Sequence, residues 1–238
     1  VSATKLRPGR GIRRVGDELR HADPVFATIA AVFAVIYIVI TVLVAGHLQP
    51  FGIDRTLEVD LQRTNVGFLD FWNVFVSLMG GFVGLGAGVV VIALTYWKRR
   101  DLTPFVVVSA VYSLVYNATN FIIRRPRPTG VPHVVKHLIG YSYPSGHAGF
   151  FLWIGALFVL IVARHFVRPL YILSWVVVVF LVLAAALSRV YVGAHWPTDV
   201  VAGLSVAIGW ISFTLSLRGL SRPLFGRSPG SGVTAGTG

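Results

Sequence analysis

Six stretches of this 238-residue chain are apolar and free of charged side chains, and most are long enough for a helix to cross roughly 30 Å of hydrocarbon at about 1.5 Å per residue. They cover residues 25–46, 71–97, 102–123, 148–163, 169–187 and 200–217. Inside a bilayer each backbone N–H and C=O must be paired within the protein, which leaves helices or closed barrels. Uninterrupted apolar runs of this length read as helices. The sequence therefore predicts an all-α, polytopic membrane protein with six transmembrane helices and excludes a soluble globule. Composition agrees: only 13% of residues are charged, against roughly 25% in a soluble domain. The absence of cysteine removes disulfide frameworks, thiolate metal sites and thiol nucleophiles together. The first stretch exceeds the apolar core of a signal peptide, so it predicts a retained anchor.

The basic residues set an orientation. Of the 21 Lys and Arg, 14 lie in the two tails and in the connections after the second and fourth stretches. By the positive-inside bias, both termini are expected in the cytoplasm of a plasma (inner) membrane. Three segments follow. Residues 1–24 form a basic tail in which Ile12, Val15 and Leu19 fall at helical spacing, as in an interfacial amphipathic helix. Residues 25–217 form the six-span domain, and residues 218–238 form a tail expected to be disordered, Gly- and Ser-rich from Ser228 onward. Gly80, Gly84 and Gly88 recur every four residues in the second stretch, a pattern suited to close helix packing.

The outward-facing basic residues work against that bias. Arg124, Arg125, Arg127 and Lys136 share one loop between the third and fourth stretches. Topology brings that loop together with Pro144-Ser145-Gly146-His147, with Ser188-Arg189 and with His195-Trp196-Pro197-Thr198-Asp199, because each lies at the outer end of a span. Ser145-Gly146-His147 precedes a helix, where free N–H groups and the dipole favour an anion. Arg127 and Arg189 carry planar forks that match phosphate oxygens. His195 and Asp199 are four residues apart, so on one helix face the carboxylate can fix the imidazole tautomer. A metal is not expected: the two histidines have one nearby carboxylate, no thiol, and several arginines that repel a cation. Two histidines, arginines, an anion nest and a carboxylate suit phosphoryl transfer at an outer-face active site.

Arg127-Pro128, Pro144-Ser145-Gly146-His147, and Ser188-Arg189 with His195 and Asp199 together resemble the three-part signature of the type 2 phosphatidic acid phosphatase superfamily, in its bacterial integral-membrane branch. The resemblance implies His195 as a nucleophile forming a phosphohistidine, Asp199 as its orienting carboxylate and His147 as general acid. Arg127, Ser145, Gly146 and Arg189 are implied as phosphate-binding groups, and no cofactor is needed. One position departs. The family lysine seven residues before the arginine is Asn120 here. Asn120 can still donate to phosphate, but a lost charged contact is worth roughly 1.5–3 kcal/mol, on the order of ten- to a hundred-fold in rate. Arg124, Arg125, Lys136 and His137 are the nearby groups that could restore the charge.

The resulting expectation is a membrane phosphatase acting on a lipid phosphate or diphosphate. Polyprenyl diphosphate or monophosphate ranks first, then phosphatidic acid or phosphatidylglycerol phosphate. Two alternatives stay open on the sequence: a phosphotransferase using the same phosphohistidine, and a non-catalytic lipid-phosphate binder, motivated by Asn120. The expected partners are the lipid substrate and surrounding membrane lipids. Neither nucleic acid nor a protein partner is implied.

Overall fold

The computed structural model describes residues 22–64, 66–79, 81–132 and 140–225. All regular structure among them is helical, and the ten α-helices are numbered in chain order. The expected interfacial helix around Ile12, Val15 and Leu19, together with Lys136 and His137, lies outside the described residues.

Helix α1 spans Pro24–Gly46. It starts where it does because the Asp23 side chain accepts hydrogen bonds from the backbone N–H groups of Val25 and Phe26, and Pro24 fits a first turn without losing one. A short amphipathic helix, α2 (Gly52–Arg63), follows at the far end of α1. Then come α3 (Gly67–Leu78) and α4 (Gly81–Lys98). Where the sequence predicts one straight span over 71–97, the two apolar helices meet at a 61° bend. Helices α5 (Thr103–Ala110) and α6 (Tyr112–Ile123) together make one span. Helix α7 (Gly146–Leu157) continues through a π turn (Phe158–Val162) and a 3-10 turn (Ala163–His165). Helices α8 (Arg168–Tyr191) and α9 (Pro197–Ser216) complete the bundle. Among the described residues five helical spans are long and apolar enough to cross a membrane, or six when the bent α3–α4 pair is counted as one broken span.

The most buried span is α9, which packs on α1, α7, α6 and α5. Its last turn meets the start of α1, where Asp23 N–H donates to the Ser216 carbonyl (2.9 Å). A core of Phe105, Val106, Trp153, Ala207, Ile211 and Leu215 fills this half of the bundle. Val76, Phe151, Val178 and Val182 join α3, α7 and α8 in the other half. The outward faces keep large apolar residues exposed, such as Phe71 and Ile122 at more than 70%, as a surface solvated by lipid requires.

Two expectations need correction. Residues 218–225, assigned to a disordered tail, open with helix α10 (Arg218–Phe225), because Leu224 buries itself in the core beneath α5 and α9. The glycine pattern in the second span is not a uniform packing stripe. A Cβ on Gly88 would make only ordinary contact with the Trp153 ring at 3.9 Å, whereas one on Gly84 would sit 2.5 Å from the Met79 carbonyl oxygen. Gly80 lies outside the described residues.

Candidate active site

The end of α6, the start of α7, the end of α8 and the start of α9 meet at one end of the bundle, as topology requires. Two glycines permit the approach. A Cβ on Gly203 would lie 2.2 Å from the Ser145 carbonyl oxygen, and one on Gly149 would lie 3.1 Å from the Gly203 carbonyl oxygen. Helices α7 and α9 therefore cross almost backbone to backbone. This crossing lets the Ser145 N–H donate to the Asp199 carbonyl (2.9 Å), which fixes the start of one helix against the start of the other.

His195 sits on the short connection between α8 and α9 and is 3% exposed. Its Nδ1 lies 2.6 Å from the Ser142 carbonyl oxygen. A carbonyl only accepts, so Nδ1 carries the hydrogen and Nε2 keeps its lone pair. Burial holds the ring well below the ordinary histidine range, and the charges of Arg127 and Arg189 and the neighbouring His147 add to the effect. The ring is thus neutral at pH 7. The His147 ring faces it at 6.2 Å between centroids, tilted by 61°. Both rings thus border the same small gap at this end of the bundle.

The anion-binding groups surround that gap. Arg189, 1% exposed, donates through Nη1 to Asn73 Oδ1 and Ser77 Oγ, both at 2.7 Å. Those contacts come from α3, so the bent span orients the guanidinium. Its Nε and the Ser145 Oγ are buried and have no hydrogen-bond partner among the described residues. Buried donors left unpaired are costly, and a phosphate oxygen would satisfy both. Arg127 is anchored by bonds from Nη1 to the Ala194 carbonyl (2.7 Å) and from Nε to the Gly140 carbonyl (3.2 Å). Burial lowers its proton affinity, opposed by Tyr116 and Asp199. Gly146 opens α7 beneath the Tyr116 ring. His147, Arg127, Arg189, Ser145, Gly146 and His195 are therefore brought together.

Two sequence-predicted contacts differ. Asn120 is not aimed at a phosphate: its Nδ2 donates to the carbonyls of Tyr141 (3.1 Å) and Tyr143 (2.8 Å), clamping the segment that presents the Ser142 carbonyl to His195. Asp199 does not hold the His195 ring either. Its Oδ2 accepts from the Trp196 N–H (2.9 Å) and its Oδ1 from Arg125 (2.6 Å), because the first turn of α9 points the carboxylate back at its own helix start. The tautomer is instead set by the Ser142 carbonyl.

The support behind His195 escaped the sequence reading. Arg125 is fully buried. Its Nη1 donates to Thr198 Oγ1 (2.7 Å) and Asp199 Oδ1 (2.6 Å), and its Nη2 to Asp54 Oδ2 (2.8 Å). Asp54 also accepts from the Thr198 N–H and hydroxyl, both at 2.9 Å. These bonds occupy the guanidinium with carboxylates, so Arg125 does not supply the charge missing at Asn120. Arg124 turns away, exposed, its guanidinium over the Phe121 ring at 4.8 Å. One turn beyond Asp54, Glu58 is fully buried, with neither carboxyl oxygen hydrogen-bonded among the described residues. Burial, then Asp54 and Asp199, push its carboxyl up to about 8, against Arg55. The signal for this arrangement was the polar series Asp54, Glu58 and Gln62 at four-residue spacing, which forms the buried stripe of α2.

A cavity of about 460 Å³ leads from His147 and Gly146 into the bundle. Gly84, Gly88, Ile92, Phe150 and Trp153 make its apolar wall. This apolar slot suits a hydrocarbon chain attached to a phosphate held at the start of α7.

A family model described as the PAP2 superfamily matches residues 101–222, half of the chain and every signature residue. An undecaprenyl-diphosphatase from Sulfolobus acidocaldarius is 28% identical over 174 residues, covering 71% of this chain and 79% of that one. The crystal structure of a transmembrane PAP2 type phosphatidylglycerolphosphate phosphatase from Bacillus subtilis superposes with a TM-score of 0.62 at 16% identity. The likeness covers 78% of this chain and 93% of that one, and it shows a shared fold. With the signature residues gathered at one end of a bundle of apolar spans, the chain belongs to the PAP2 superfamily and is a membrane lipid phosphatase of that type.

Proposed function

We propose that the protein hydrolyses a polyprenyl diphosphate or monophosphate through a phosphohistidine on His195, without a metal, at the outer face of a plasma membrane with both termini in the cytoplasm. The observation that carries the mechanism is the 2.6 Å contact of His195 Nδ1 with the Ser142 carbonyl, which leaves Nε2 as the basic, unprotonated nitrogen. Nε2 attacks phosphorus, and the bond to the bridging oxygen breaks as the N–P bond forms. His147 gives its proton to the departing oxygen. Arg127, Arg189, the Ser145 hydroxyl and the Gly146 N–H hold the equatorial oxygens as charge redistributes. Water then attacks the phosphohistidine, His147 takes its proton, and orthophosphate leaves. Asp199 acts one step back: it braces the Trp196 N–H and the Arg125 guanidinium, and so keeps the His195 loop in register.

The apolar slot beside His147 offers room for a lipid tail, and the likeness to an undecaprenyl-diphosphatase supports a polyprenyl tail over a two-chain glycerolipid. The test is His195→Gln in purified protein. It should abolish phosphate release from every lipid offered and abolish the acid-labile label that wild-type protein acquires from a terminally ³²P-labelled substrate. Normal turnover by the variant would sink the mechanism. Faster wild-type turnover of phosphatidylglycerol phosphate than of polyprenyl diphosphate would overturn the substrate.

A further inference from the structure

The active-site residues named above leave one polar group unused at the mouth of the apolar slot. Tyr116 lies on α6, one turn before Asn120 on the same helical face. Its ring rests on Gly146: a Cβ there would lie 2.5 Å from the Tyr116 Cζ and 2.7 Å from its hydroxyl oxygen. The contact explains why glycine follows Ser145, and it places a phenol O–H directly over the first residue of α7. Among the described residues that hydroxyl makes no hydrogen bond. Tyr116 is half-buried and borders the cavity, so its hydroxyl is free to meet a ligand there.

The position of Tyr116 is specific. It lines the slot together with Gly146 and His147 on one side and Ser113 and Asn117 on the other. It is also near enough to Arg127 to interact with its charge. For a lipid diphosphate the constraints are geometric. The terminal phosphorus must stand between His195 and His147, and the tail must enter the slot. The inner phosphate, which is the leaving group, therefore passes the point where the slot begins, and that point is Tyr116.

We infer that the Tyr116 hydroxyl donates a hydrogen bond to the inner, departing phosphate of a lipid diphosphate, giving the site a contact that monophosphate substrates do not use. The inference rests on the reading of the site as a polyprenyl phosphatase. The hydroxyl stands one turn deeper than Asn120 on the same helix, a neutral donor placed for the inner phosphate. No covalent step changes. His147 still protonates the bridging oxygen, and the Tyr116 proton is shared, not transferred.

Tyr116→Phe tests this because it keeps the ring on Gly146 and removes only the hydroxyl. Phosphate release is measured with purified full-length protein on a polyprenyl diphosphate and on the monophosphate of the same tail. The expected result is a fall in kcat/KM of about ten- to a hundred-fold on the diphosphate, with less than about a three-fold change on the monophosphate. A second readout uses inorganic pyrophosphate and orthophosphate as competitive inhibitors of monophosphate hydrolysis. Pyrophosphate inhibition should weaken about ten-fold in the variant and orthophosphate inhibition should be unchanged. Equal losses on both substrates, or none, overturn the inference while leaving the phosphatase reading intact. A wild-type protein that releases nothing from the diphosphate overturns both.

Discussion

Replacing Glu58 by glutamine should remove a pH-dependent part of the protein's stability, and the size of the effect follows from the buried stripe of α2. The Glu58 carboxyl is fully buried, neither oxygen has a partner, and it shares its surroundings with Asp54 and Asp199. Its proton therefore stays on until about pH 8 in the folded protein, whereas in the unfolded chain it leaves near the ordinary 4.5. Between those values the folded state binds more protons than the unfolded state, so stability falls as pH rises. The contribution is complete below the ordinary value, declines by about 1.4 kcal/mol per pH unit, and is exhausted above the folded value. From pH 5 to 8 that amounts to roughly 3–4 kcal/mol, or about 10 °C in Tm for a chain of this size. Glutamine keeps the shape and cannot ionise. Thermal unfolding of both proteins in detergent, stepped from pH 5 to 9, should give a Tm that falls more steeply in the wild type than in Glu58→Gln, the two curves running parallel above pH 8. Parallel curves across the whole range would refute the argument that Glu58 is held neutral.

The same end of the bundle yields two further expectations. Arg125→Ala leaves Asp54 and Asp199 buried without their shared cation, and should cost about 3–5 kcal/mol of stability by thermal unfolding. Arg125→Lys should recover little, because one ammonium cannot fork to two carboxylates and a hydroxyl at once. Asn120→Ala frees the Tyr141 and Tyr143 carbonyls and loosens the Ser142 carbonyl that sets the His195 tautomer. It should lower kcat about ten-fold or more with KM nearly unchanged, since no substrate contact is lost.

Hydropathy made the spans legible because a bilayer allows so few alternatives, and the signature placed both histidines, Arg127, Arg189 and the Ser145-Gly146 turn at one end. What escaped was the support behind them. Arg125 stands in the same loop as Arg127, among the groups that could restore the family lysine's charge, yet its partners come from Asp54 and Thr198, over 70 positions away in each direction. No local pattern distinguishes an arginine that meets phosphate from one that meets carboxylates. Asn120 was read by its register in the signature, which says where a residue stands but not which atoms of the following loop have come within reach. The second span read as continuous because average hydropathy does not register a bend between two apolar helices. The series Asp54, Glu58 and Gln62 was visible, but a polar stripe on a short helix reads as its wet face unless the partner for the buried carboxylates is known.

The stretch matched by the family model, 101–222, holds each residue expected to touch phosphate. It is nevertheless not a minimal enzyme. Cut free of what precedes it, the stretch would keep His147 and His195 but lose Asp54 from the Arg125–Asp199 pair and lose Asn73 and Ser77 from Arg189. Two buried guanidinium groups would be left short of partners inside a membrane. Helices α2 and α3, which carry Asp54, Asn73 and Ser77, are thus part of the functional unit in the sense that matters for truncation and for chimaeras. A domain swap drawn at the boundary of recognisable similarity would cut through the charge network behind His195, and an exchange that moved α2 and α3 together with the signature helices would preserve it.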